Sequence, residues 1–502
     1  MSARSFASSR WIHRCLHDPR VTHAAATTSS TATRVGTGVS SAGFWTLDRV
    51  ADALGSISVS PHPRGSAILS GVNTDTRTVG PGNLFVALRG ERFDAHEFLG
   101  DAVGKGAAAV VVSDAALAAT LGVPVFVVHD TTAALGLLGR YRRRVWGRTV
   151  IAVAGSNGKT STKELTSAAL GTRLMVYATR GNLNNHVGVP LTLLAIPDDA
   201  DVAVVEIGTN HPGEVAALRA LVEPDVAIVT SIGEEHLEGL GDLAGVLREE
   251  SAVFAGVPVA IVPAAQPEIG EAARTLARST VSAGLDAGDV RPDSWSITAD
   301  GTGILRFGDV EVRPPLRGEH NLRNAMIAVA AARALGVAVE DAAAGIARTP
   351  ALPMRSAWVQ VGGFTVINDA YNANPASARE SLRMLAAMET PRQRVAILGS
   401  MLELGAASAA LHDEIARLAV AGPAQIVAGM GEFARALQAA APNDPRVVTA
   451  VDAPELWQLI ARRLTPDAVI LLKGSRGTRL ERLIPLMEGN AAPHQAVLSD
   501  QH

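Results

Sequence analysis

The sequence contains a single cysteine, Cys15, in 502 residues. An intramolecular disulfide and a metal site with several cysteine ligands are therefore both excluded. Aromatic residues make up only 4% of the chain, whereas 47% of it is hydrophobic. That hydrophobic content is enough to bury a sizeable core and is not typical of a disordered protein. The length predicts about three domains, because a domain commonly has about 100–200 residues.

The chain also lacks an excess of charge of either sign, with 45 basic and 49 acidic side chains. This balance argues against a broad nucleic-acid-binding surface and against a polybasic membrane anchor. The longest apolar stretch, 106–128, is interrupted by Asp114 and by Gly122-Val123-Pro124. We interpret it as strand, helix and strand rather than as a membrane span. We therefore predict a protein that neither binds nucleic acid nor inserts into a membrane.

Composition and periodicity divide the chain into four segments. Residues 1–43 are rich in Ser, Thr, Ala and Arg, and we predict a disordered tail there; an organellar transit peptide or a start codon assigned too early would give the same composition. Residues 44–147, 148–351 and 352–502 each alternate strand-like with helix-like runs, which predicts α/β domains with parallel sheets. The predicted strands are 84–88, 108–112, 150–154, 202–207, 226–230, 394–398, 425–428 and 468–472.

A glycine-rich turn follows the predicted strand 150–154 and precedes a helical pattern, 161–170. Its sequence is Gly155-Ser156-Asn157-Gly158-Lys159-Thr160. Lysine is scarce in this chain, which has only four, so Lys159 at this position is informative. Backbone N–H groups of such a turn bind phosphate oxygens, the lysine adds positive charge, and the threonine hydroxyl is a ligand for Mg²⁺. The usual eight-residue pattern has a glycine where this chain has Val153, and an ordinary glycine-rich turn is the alternative.

Two polar residues follow neighbouring predicted strands of the same segment. Glu206 ends an apolar strand, and His236 lies in the turn after the next strand. Because the carboxyl ends of parallel strands meet at one edge of a sheet, both side chains are expected near the glycine-rich turn. Thr160, Glu206 and His236 could then converge on a metal beside the terminal phosphate of a nucleotide, as phosphoryl transfer requires. A surface histidine is the alternative for His236.

These motifs resemble those of the Mur ligases, ATP-dependent enzymes that extend the peptide of the UDP-linked peptidoglycan precursor. The resemblance covers about residues 65–490, and several strings are similar to the branch that adds D-alanyl-D-alanine. They are Gly181-Asn182-Leu183-Asn184-Asn185, the segment 206–214, Asp369-Ala370-Tyr371-Asn372-Ala373-Asn374-Pro375, Met401-Leu402-Glu403-Leu404-Gly405 and Lys473-Gly474-Ser475-Arg476-Gly477.

The resemblance implies an α/β protein of three domains: an N-terminal UDP-sugar-binding domain, a central ATP-binding domain with a parallel sheet, and a C-terminal Rossmann-like domain. It also implies the roles of individual residues. Lys159 and Arg355 would offset phosphate charge, and Asn324 and Asp369 would contact adenine and ribose. The residues implied to bind the UDP-linked peptide or D-Ala-D-Ala are Asp75, Thr76, Arg77, Asn182, Asn184, Asn185, Tyr371, Asn372, Lys473 and Arg476. Short polar motifs that merely cap turns are the alternative for the last four.

The chain departs from the family pattern at one expected metal-site position. Many Mur ligases carry a carbamylated lysine about 14 residues after the histidine, but this chain has Glu250 there and no lysine between Lys163 and Lys473. Our hypothesis is that Glu250 supplies the negative oxygens directly, with Glu249 as the neighbouring possibility. A surface acid on an amphipathic helix, 243–254, is the alternative.

The implied activity is an ATP-dependent amide ligase that joins D-Ala-D-Ala to UDP-N-acetylmuramoyl-tripeptide through an acyl phosphate. ATP and Mg²⁺ are the expected co-substrate and cofactor, and we expect a cytoplasmic monomer whose domains close on binding. Two rivals remain open at this point: a related ligase such as a folylpolyglutamate synthase, and a nucleotide-binding scaffold without catalytic activity.

Overall fold

The computed structural model describes residues 43–59, 62–90 and 93–489. The tail predicted for the N-terminus therefore lies outside the described residues, apart from Gly43. No helix in the described part of the chain is both long and apolar enough to cross a membrane.

The first segment forms a four-stranded parallel sheet in the order β3-β4-β7-β8, with two small antiparallel pairs, β1-β2 and β5-β6. Its strands are β1 (Trp45–Thr46), β2 (Ile68–Leu69), β3 (Gly71–Asn73), β4 (Asn83–Val86), β5 (Arg89–Gly90), β6 (Phe93–Asp94), β7 (Ala109–Val112) and β8 (Val125–Val127). Its helices are α1 (Leu47–Leu54), α2 (Leu99–Gly104) and α3 (Thr131–Trp146). The apolar stretch 106–128 thus contains two strands, and the helix predicted between them is a short 3-10 helix, Ala115–Ala119.

The central segment contains a six-stranded parallel sheet in the order β10-β11-β9-β12-β13-β14 and a small antiparallel sheet, β15-β16-β17. Its strands are β9 (Thr149–Ala154), β10 (Val176–Ala178), β11 (Val202–Glu206), β12 (Val226–Val229), β13 (Val259–Pro263), β14 (Ser279–Ala283), β15 (Ser294–Ile297), β16 (Gly303–Phe307) and β17 (Val310–Val312). Its helices are α4 (Lys159–Leu170), α5 (Gly188–Leu194), α6 (Glu214–Val222), α7 (Leu237–Leu240), α8 (Leu243–Ser251), α9 (Pro267–Leu276), α10 (Glu319–Ala334) and α11 (Val339–Ile346).

The C-terminal segment has a six-stranded sheet in the order β18-β19-β23-β20-β21-β22, in which only the edge pair β18-β19 is antiparallel. Its strands are β18 (Ala357–Val361), β19 (Phe364–Asp369), β20 (Arg394–Leu398), β21 (Ile426–Met430), β22 (Val447–Ala450) and β23 (Val469–Lys473). Its helices are α12 (Pro375–Ala387), α13 (Ser408–Ala421), α14 (Glu432–Ala440), α15 (Ala453–Ile460) and α16 (Leu483–Gly489).

Both large sheets are buried on their two faces, as expected for parallel sheets covered by helices. In the central sheet, alternate residues of β9 face opposite cores: Ile151 packs on one side and Val150 on the other. This explains why the central strands are continuous apolar runs that end in polar residues. All eight predicted strands are present, with ends that differ from the prediction by no more than two residues.

Candidate active site

The glycine-rich turn after β9 is held against the end of β12. A Cβ atom on Gly155, whose φ is +114°, would lie 2.5 Å from Thr230 Oγ1 and 2.7 Å from Thr230 N, so only glycine fits there. Ser231 accepts hydrogen bonds from the turn through its carbonyl (Ser156 N, 2.7 Å) and through its hydroxyl (Asn157 N, 3.0 Å). The turn is therefore fixed by its neighbouring strand before α4 begins at Lys159.

Thr160 and Glu206 are in direct contact at the start of α4. The Thr160 hydroxyl donates to Glu206 Oε2 (2.9 Å), and Asn184 Nδ2 donates to Glu206 Oε1 (2.9 Å). Glu206 is 1% exposed, and its backbone N–H donates to Thr179 Oγ1. Buried Lys163, one helical turn after Lys159, donates to the Thr179 carbonyl and lies 4.0 Å from Glu206 Oε2. The carboxylate is thus held in one orientation beside Thr160.

Lys159 lies in a buried group of opposite charges. Its Nζ is 3.7 Å from Glu235 Oε1 and donates to the carbonyls of Gly155 and Ser156. Burial alone lowers the pKa of Lys159, but the carboxylates of Glu235, Glu250 and Glu206 more than compensate, so that the pKa lies above its ordinary value. The ammonium group therefore stays charged beside the glycine-rich turn.

Glu250 is fully buried beneath the glycine-rich turn, so the surface-acid interpretation is wrong. Its Oε2 accepts a hydrogen bond from Gly155 N (2.7 Å), and burial raises the pKa of its carboxyl group to about 7. Glu249 is committed elsewhere, because its carboxylate accepts from Gly213 N and Val215 N at the start of α6. Glu249 is therefore not the residue that takes the place of the carbamylated lysine beside the glycine-rich turn.

His236 has a left-handed backbone conformation (φ +51°) and points toward the C-terminal segment. Its Nδ1 is in hydrogen-bond contact with Glu403 Oε2, and its Nε2 lies 3.8 Å from Glu235 Oε2. Burial lowers the pKa of His236, but the hydrogen bond to Glu403 and the charge of Glu235 outweigh burial and raise it overall. The ring therefore bridges the central and C-terminal segments rather than lying on the surface.

The residues predicted for adenine and ribose lie on α10 and at the end of β19. A Cβ on Gly158 would lie 2.6 Å from Asn324 Oδ1, which shows that the Asn324 amide packs directly on the glycine-rich turn. Asp369 forms an ion pair with Lys473 (Oδ2 to Nζ, 2.8 Å) and accepts from the Ser381 hydroxyl (2.7 Å). Lys473 is 3% exposed, and its Nζ also donates to the carbonyl of Asn372 (3.0 Å). Its role toward D-Ala-D-Ala therefore stays a prediction.

Arg355 lies in the connection between the central and C-terminal sheets. Its guanidinium carbon is 3.9 Å from the ring centre of Tyr371, and that of Arg476 is 5.8 Å from the same centre. The charge of Arg355 acts to lower the pKa of Lys159, so the two cationic groups lie close enough to interact. The residues on either side of it, Met354 and Ser356, both have positive φ.

A cleft of about 160 Å³ separates the central and C-terminal segments. Its lining combines charged side chains from both segments with amide and other side chains of the C-terminal segment. The lining residues are Glu235, His236, Tyr371, Asn372, Ala373, Asn374, Leu402, Glu403, Ser475, Arg476 and Gly477. The two segments also meet at the glycine-rich turn, where Asn374 Nδ2 donates to Asn157 Oδ1 (2.9 Å).

The residues predicted to bind the UDP-linked peptide do not line this cleft. Asp75 and Arg77 form an ion pair (2.6 Å) in an exposed turn, and Lys105 Nζ donates to the Thr76 carbonyl. The hydrogen bonds from Arg77 hold the pKa of Asp75 at about 2. Asn182 is exposed, and Asn185 Oδ1 accepts from Gly188 N at the start of α5 (2.9 Å).

Sequence reasoning did not select Glu235, Glu403, Asn374 or Lys163. Two signals could have found some of them: Lys163 is one of only four lysines and lies four residues after Lys159, and Glu403 and Asn374 lie within motifs of the family pattern. Glu235 lies next to a second acid, Glu234, and no signal in the sequence separates the two. Glu234 instead pairs with Arg379 (3.2 Å).

The residues present fit a magnesium ion that takes most of its ligands from phosphates and water. In the part of the chain that the structure describes, no three His, Cys, Asp or Glu side chains are grouped to hold a metal by themselves. Thr160 and Glu206 offer hard oxygen ligands together, and the buried oxygens Glu235 Oε1 and Glu250 Oε1 have no hydrogen-bond partner. Mg²⁺ bound with a nucleotide commonly uses only one or two protein ligands.

Three family models match the chain: a Mur ligase family catalytic domain (residues 68–143), a Mur ligase middle domain (153–332) and a Mur ligase glutamate ligase domain (354–476). UDP-N-acetylmuramoyl-tripeptide--D-alanyl-D-alanine ligase of Escherichia coli K12 is 36% identical over 84% of this chain and 94% of its own length.

Two solved structures of such ligases are similar to this one. A MurF structure from Acinetobacter baumannii has a TM-score of 0.80 and 32% identity, and the match covers 89% of this chain and 99% of that chain. MurF ligase from Thermotoga maritima in complex with ADP has a TM-score of 0.75 and 25% identity, over 84% of this chain and 98% of that chain.

Proposed function

Because the chain belongs to the Mur ligase family, and within it to the UDP-N-acetylmuramoyl-tripeptide--D-alanyl-D-alanine ligases, we propose that it makes the pentapeptide precursor of peptidoglycan. It is an ATP-dependent ligase that joins D-alanyl-D-alanine to UDP-N-acetylmuramoyl-tripeptide, with release of ADP and phosphate. The observation that carries this function is the contact of Thr160 with Glu206 at a turn that the C-terminal segment also touches through Asn374.

The chemistry requires activation of the tripeptide carboxylate, since a carboxylate does not react with an amine at neutral pH. Transfer of the γ-phosphoryl group of ATP to a carboxylate oxygen gives an acyl phosphate and ADP. The amine of D-Ala-D-Ala then attacks the carbonyl carbon, and phosphate leaves as the amide forms. A protein contributes to such a reaction mainly by positioning the reactants and neutralising charge.

Four residues are proposed to bind the nucleotide around residues 155–160. Lys159, whose ammonium is held charged by buried carboxylates, and Arg355 offset the charge of the phosphates. Asn324, packed on Gly158, lies next to the adenine, and Asp369 contacts the ribose. The contacts of Lys159 and Asn324 with the glycine-rich turn support these roles.

Mg²⁺ ions are proposed to be held by Thr160, Glu206, His236 and Glu250, each ion by one or two of these groups together with phosphate oxygens. When bound, Mg²⁺ would neutralise charge on the phosphates and on the reacting carboxylate. The orientation of the protein groups is set before binding: Asn184 and Thr160 fix the Glu206 carboxylate, and Gly155 N fixes one oxygen of Glu250. The second Glu250 oxygen has no hydrogen-bond partner and is the one available for this role.

The two peptide substrates are proposed to meet in the interdomain cleft. Tyr371, Asn372, Lys473 and Arg476 would form the D-Ala-D-Ala side, and of these Tyr371, Asn372 and Arg476 line the cleft. The UDP-linked tripeptide would extend toward the first segment, past Asn182, Asn184 and Asn185, to Asp75, Thr76 and Arg77. We also propose that the protein acts as a monomer in the cytoplasm, where its nucleotide substrates are found.

The test is phosphate release from ATP with UDP-N-acetylmuramoyl-tripeptide, in the presence and absence of D-Ala-D-Ala. We expect release only with both substrates, and the mass of the pentapeptide product should appear. Turnover with a folate and glutamate instead would assign the chain to the folylpolyglutamate synthases.

A single variant distinguishes a ligase from a nucleotide-binding scaffold without catalytic activity. Lys159→Ala should abolish turnover, because it removes the positive charge beside the phosphates, whereas Arg333→Ala on the exposed end of α10 should retain it. Full turnover by a folded Lys159→Ala protein would contradict the proposed site.

A further inference from the structure

The loop that carries Glu403 is held rigidly on the C-terminal segment. Met401 N donates to Nε2 of buried His412 (2.9 Å), and Leu402 N donates to the Ser475 hydroxyl (3.1 Å). Leu404, on the other side of Glu403, is part of the hydrophobic core of this segment. Glu403 itself has a φ of +64°, a conformation that a glutamate adopts only when its surroundings impose it.

The loop that carries His236 belongs to the central segment and packs against the Glu403 loop. Leu237 packs against the C-terminal core, and Glu238 N donates to the Glu403 carbonyl (3.2 Å). A Cβ on Gly405 would lie 3.1 Å from the Cα of Glu238, so the two backbones are in close contact. The position of His236 therefore depends on where the C-terminal segment lies.

Strained backbone is concentrated at this junction. Among the described residues, six that are not glycine have positive φ, and four of them lie between the central and C-terminal segments: His236, Met354, Ser356 and Glu403. Residues that absorb large dihedral changes are typical of hinges and docking points. Two of the four flank Arg355 in the connection, and the other two contact each other.

From this arrangement we infer that Glu403 is a positioning residue that orients the His236 imidazole from the opposite domain. The Glu403 carboxylate accepts the Nδ1 proton, which leaves Nε2 as the ring nitrogen on the side of Glu235 and Lys159. A carboxylate on the second ring nitrogen commonly fixes the tautomer and orientation of a metal-binding histidine. The site around His236 is then complete only when the C-terminal segment, which delivers D-Ala-D-Ala, is docked.

This inference rests on the proposed function, because it assigns His236 to the metal site of the ligase. If Glu403 positions His236, docking of the C-terminal segment precedes efficient phosphorylation in the reaction. Phosphorylation of the tripeptide carboxylate becomes efficient only after the C-terminal segment has covered the cleft, so the acyl phosphate forms where water is excluded.

The experiment compares Glu403→Ala, Glu403→Gln and the control Glu432→Ala, which removes an exposed acid at the start of α14. Mn²⁺ binding is measured by electron paramagnetic resonance with a non-hydrolysable ATP analogue, with and without UDP-N-acetylmuramoyl-tripeptide. We expect Glu403→Ala to weaken Mn²⁺ binding and to lower kcat by about 10-fold or more, as for other residues that orient a metal-binding histidine. The KM for D-Ala-D-Ala should stay within about threefold of the wild-type value, because a positioning residue does not bind the dipeptide.

Glu403→Gln should recover most of both losses, since its amide oxygen still accepts the Nδ1 proton, and Glu432→Ala should match the wild type. Unchanged Mn²⁺ binding and kcat in folded Glu403→Ala would overturn the inference. So would an equal loss in Glu403→Gln, or a raised KM for D-Ala-D-Ala with unchanged kcat, which would make Glu403 a dipeptide ligand. If the proposed function is wrong, the wild-type protein releases no phosphate with both substrates. The Mn²⁺ affinities of the variants can still be compared in that case, so the two failures are distinguishable.

Discussion

Glu250 Oε2 accepts a hydrogen bond from the backbone N–H of Gly155 over 2.7 Å, although 95 residues separate the two in the chain. The carboxylate lies at the end of α8, and the N–H belongs to the first residue of the glycine-rich turn. Glu250 thus has one oxygen that supports the turn and a second that is buried without a hydrogen-bond partner. We therefore expect stability and activity to depend on this side chain in separable ways.

Glu250→Ala should destabilise the central domain by about 1–3 kcal/mol, because it leaves Gly155 N–H buried without an acceptor. Glu250→Gln should have a free energy of unfolding close to that of the wild type, since an amide oxygen replaces the carboxylate oxygen. It should nevertheless lose turnover, because it removes the negative charge that we propose binds metal. Urea unfolding without ligands measures the first effect, with Glu271→Ala, an exposed acid on α9, as control. Wild-type stability of Glu250→Ala would contradict the importance of this hydrogen bond.

Activity should not depend on dissolved carbon dioxide. The chain has no lysine between Lys163 and Lys473, so a carbamylated lysine cannot supply the negative oxygens in that region. Phosphate release should therefore be the same in carbon-dioxide-depleted buffer with and without added bicarbonate. Loss of activity that bicarbonate restores would mean that another lysine is modified, and the hypothesis for Glu250 would be wrong.

Lys473→Met should destabilise the C-terminal domain by about 3–5 kcal/mol, because it leaves the Asp369 carboxylate without its partner in a mostly buried site. The double variant Lys473→Met with Asp369→Asn removes both charges and should recover part of that loss. Thermal unfolding of the two single variants and the double variant forms a cycle that isolates the pair. Additive effects would show that the ion pair contributes no coupling.

The stability of the C-terminal domain should fall as the pH drops below about 6.5. Burial lowers the pKa of His412 below its ordinary value of 6.5, so between the two pKa values the unfolded chain binds a proton that the folded chain does not. One such proton changes the free energy of unfolding by at most about 1.4 kcal/mol per pH unit. Stability is retained above pH 6.5 and lost as the pH falls toward the lower, folded-state pKa.

His412→Gln should reduce this slope, whereas His129→Gln, at an exposed position, should not. Urea midpoints between pH 5 and 8 give the slopes of the three proteins. If the slopes of His412→Gln and the wild type are equal, another group accounts for the loss of stability at low pH.

Local features of this protein were predictable from its sequence. Features that depend only on neighbouring residues were visible as apolar runs with a polar end. They are the strand before residue 155, the helix after Gly158 and the acid at the end of β11. Family motifs then extended the prediction to Asn324, Arg355 and Asp369. The helix expected within 106–128 is only a 3-10 helix of five residues, Ala115–Ala119, and Gly122-Val123-Pro124 follows it before the next strand begins.

The contacts between distant segments depend on tertiary structure. Strand order in the central sheet is not the order in the chain, so β11 and β12 flank β9 and bring Glu206 and the Thr230 turn to opposite sides of the same loop. The pairing of His236 with Glu403, 167 residues later, depends on how two separate sheets dock. Periodicity reports only which face of an element is buried, and the free energy that selects the partner comes from packing between elements. For that reason the glycine-rich turn could be identified from residues alone, whereas the contacts of Glu250 with Gly155 and of His236 with Glu403 could be identified only in the folded protein.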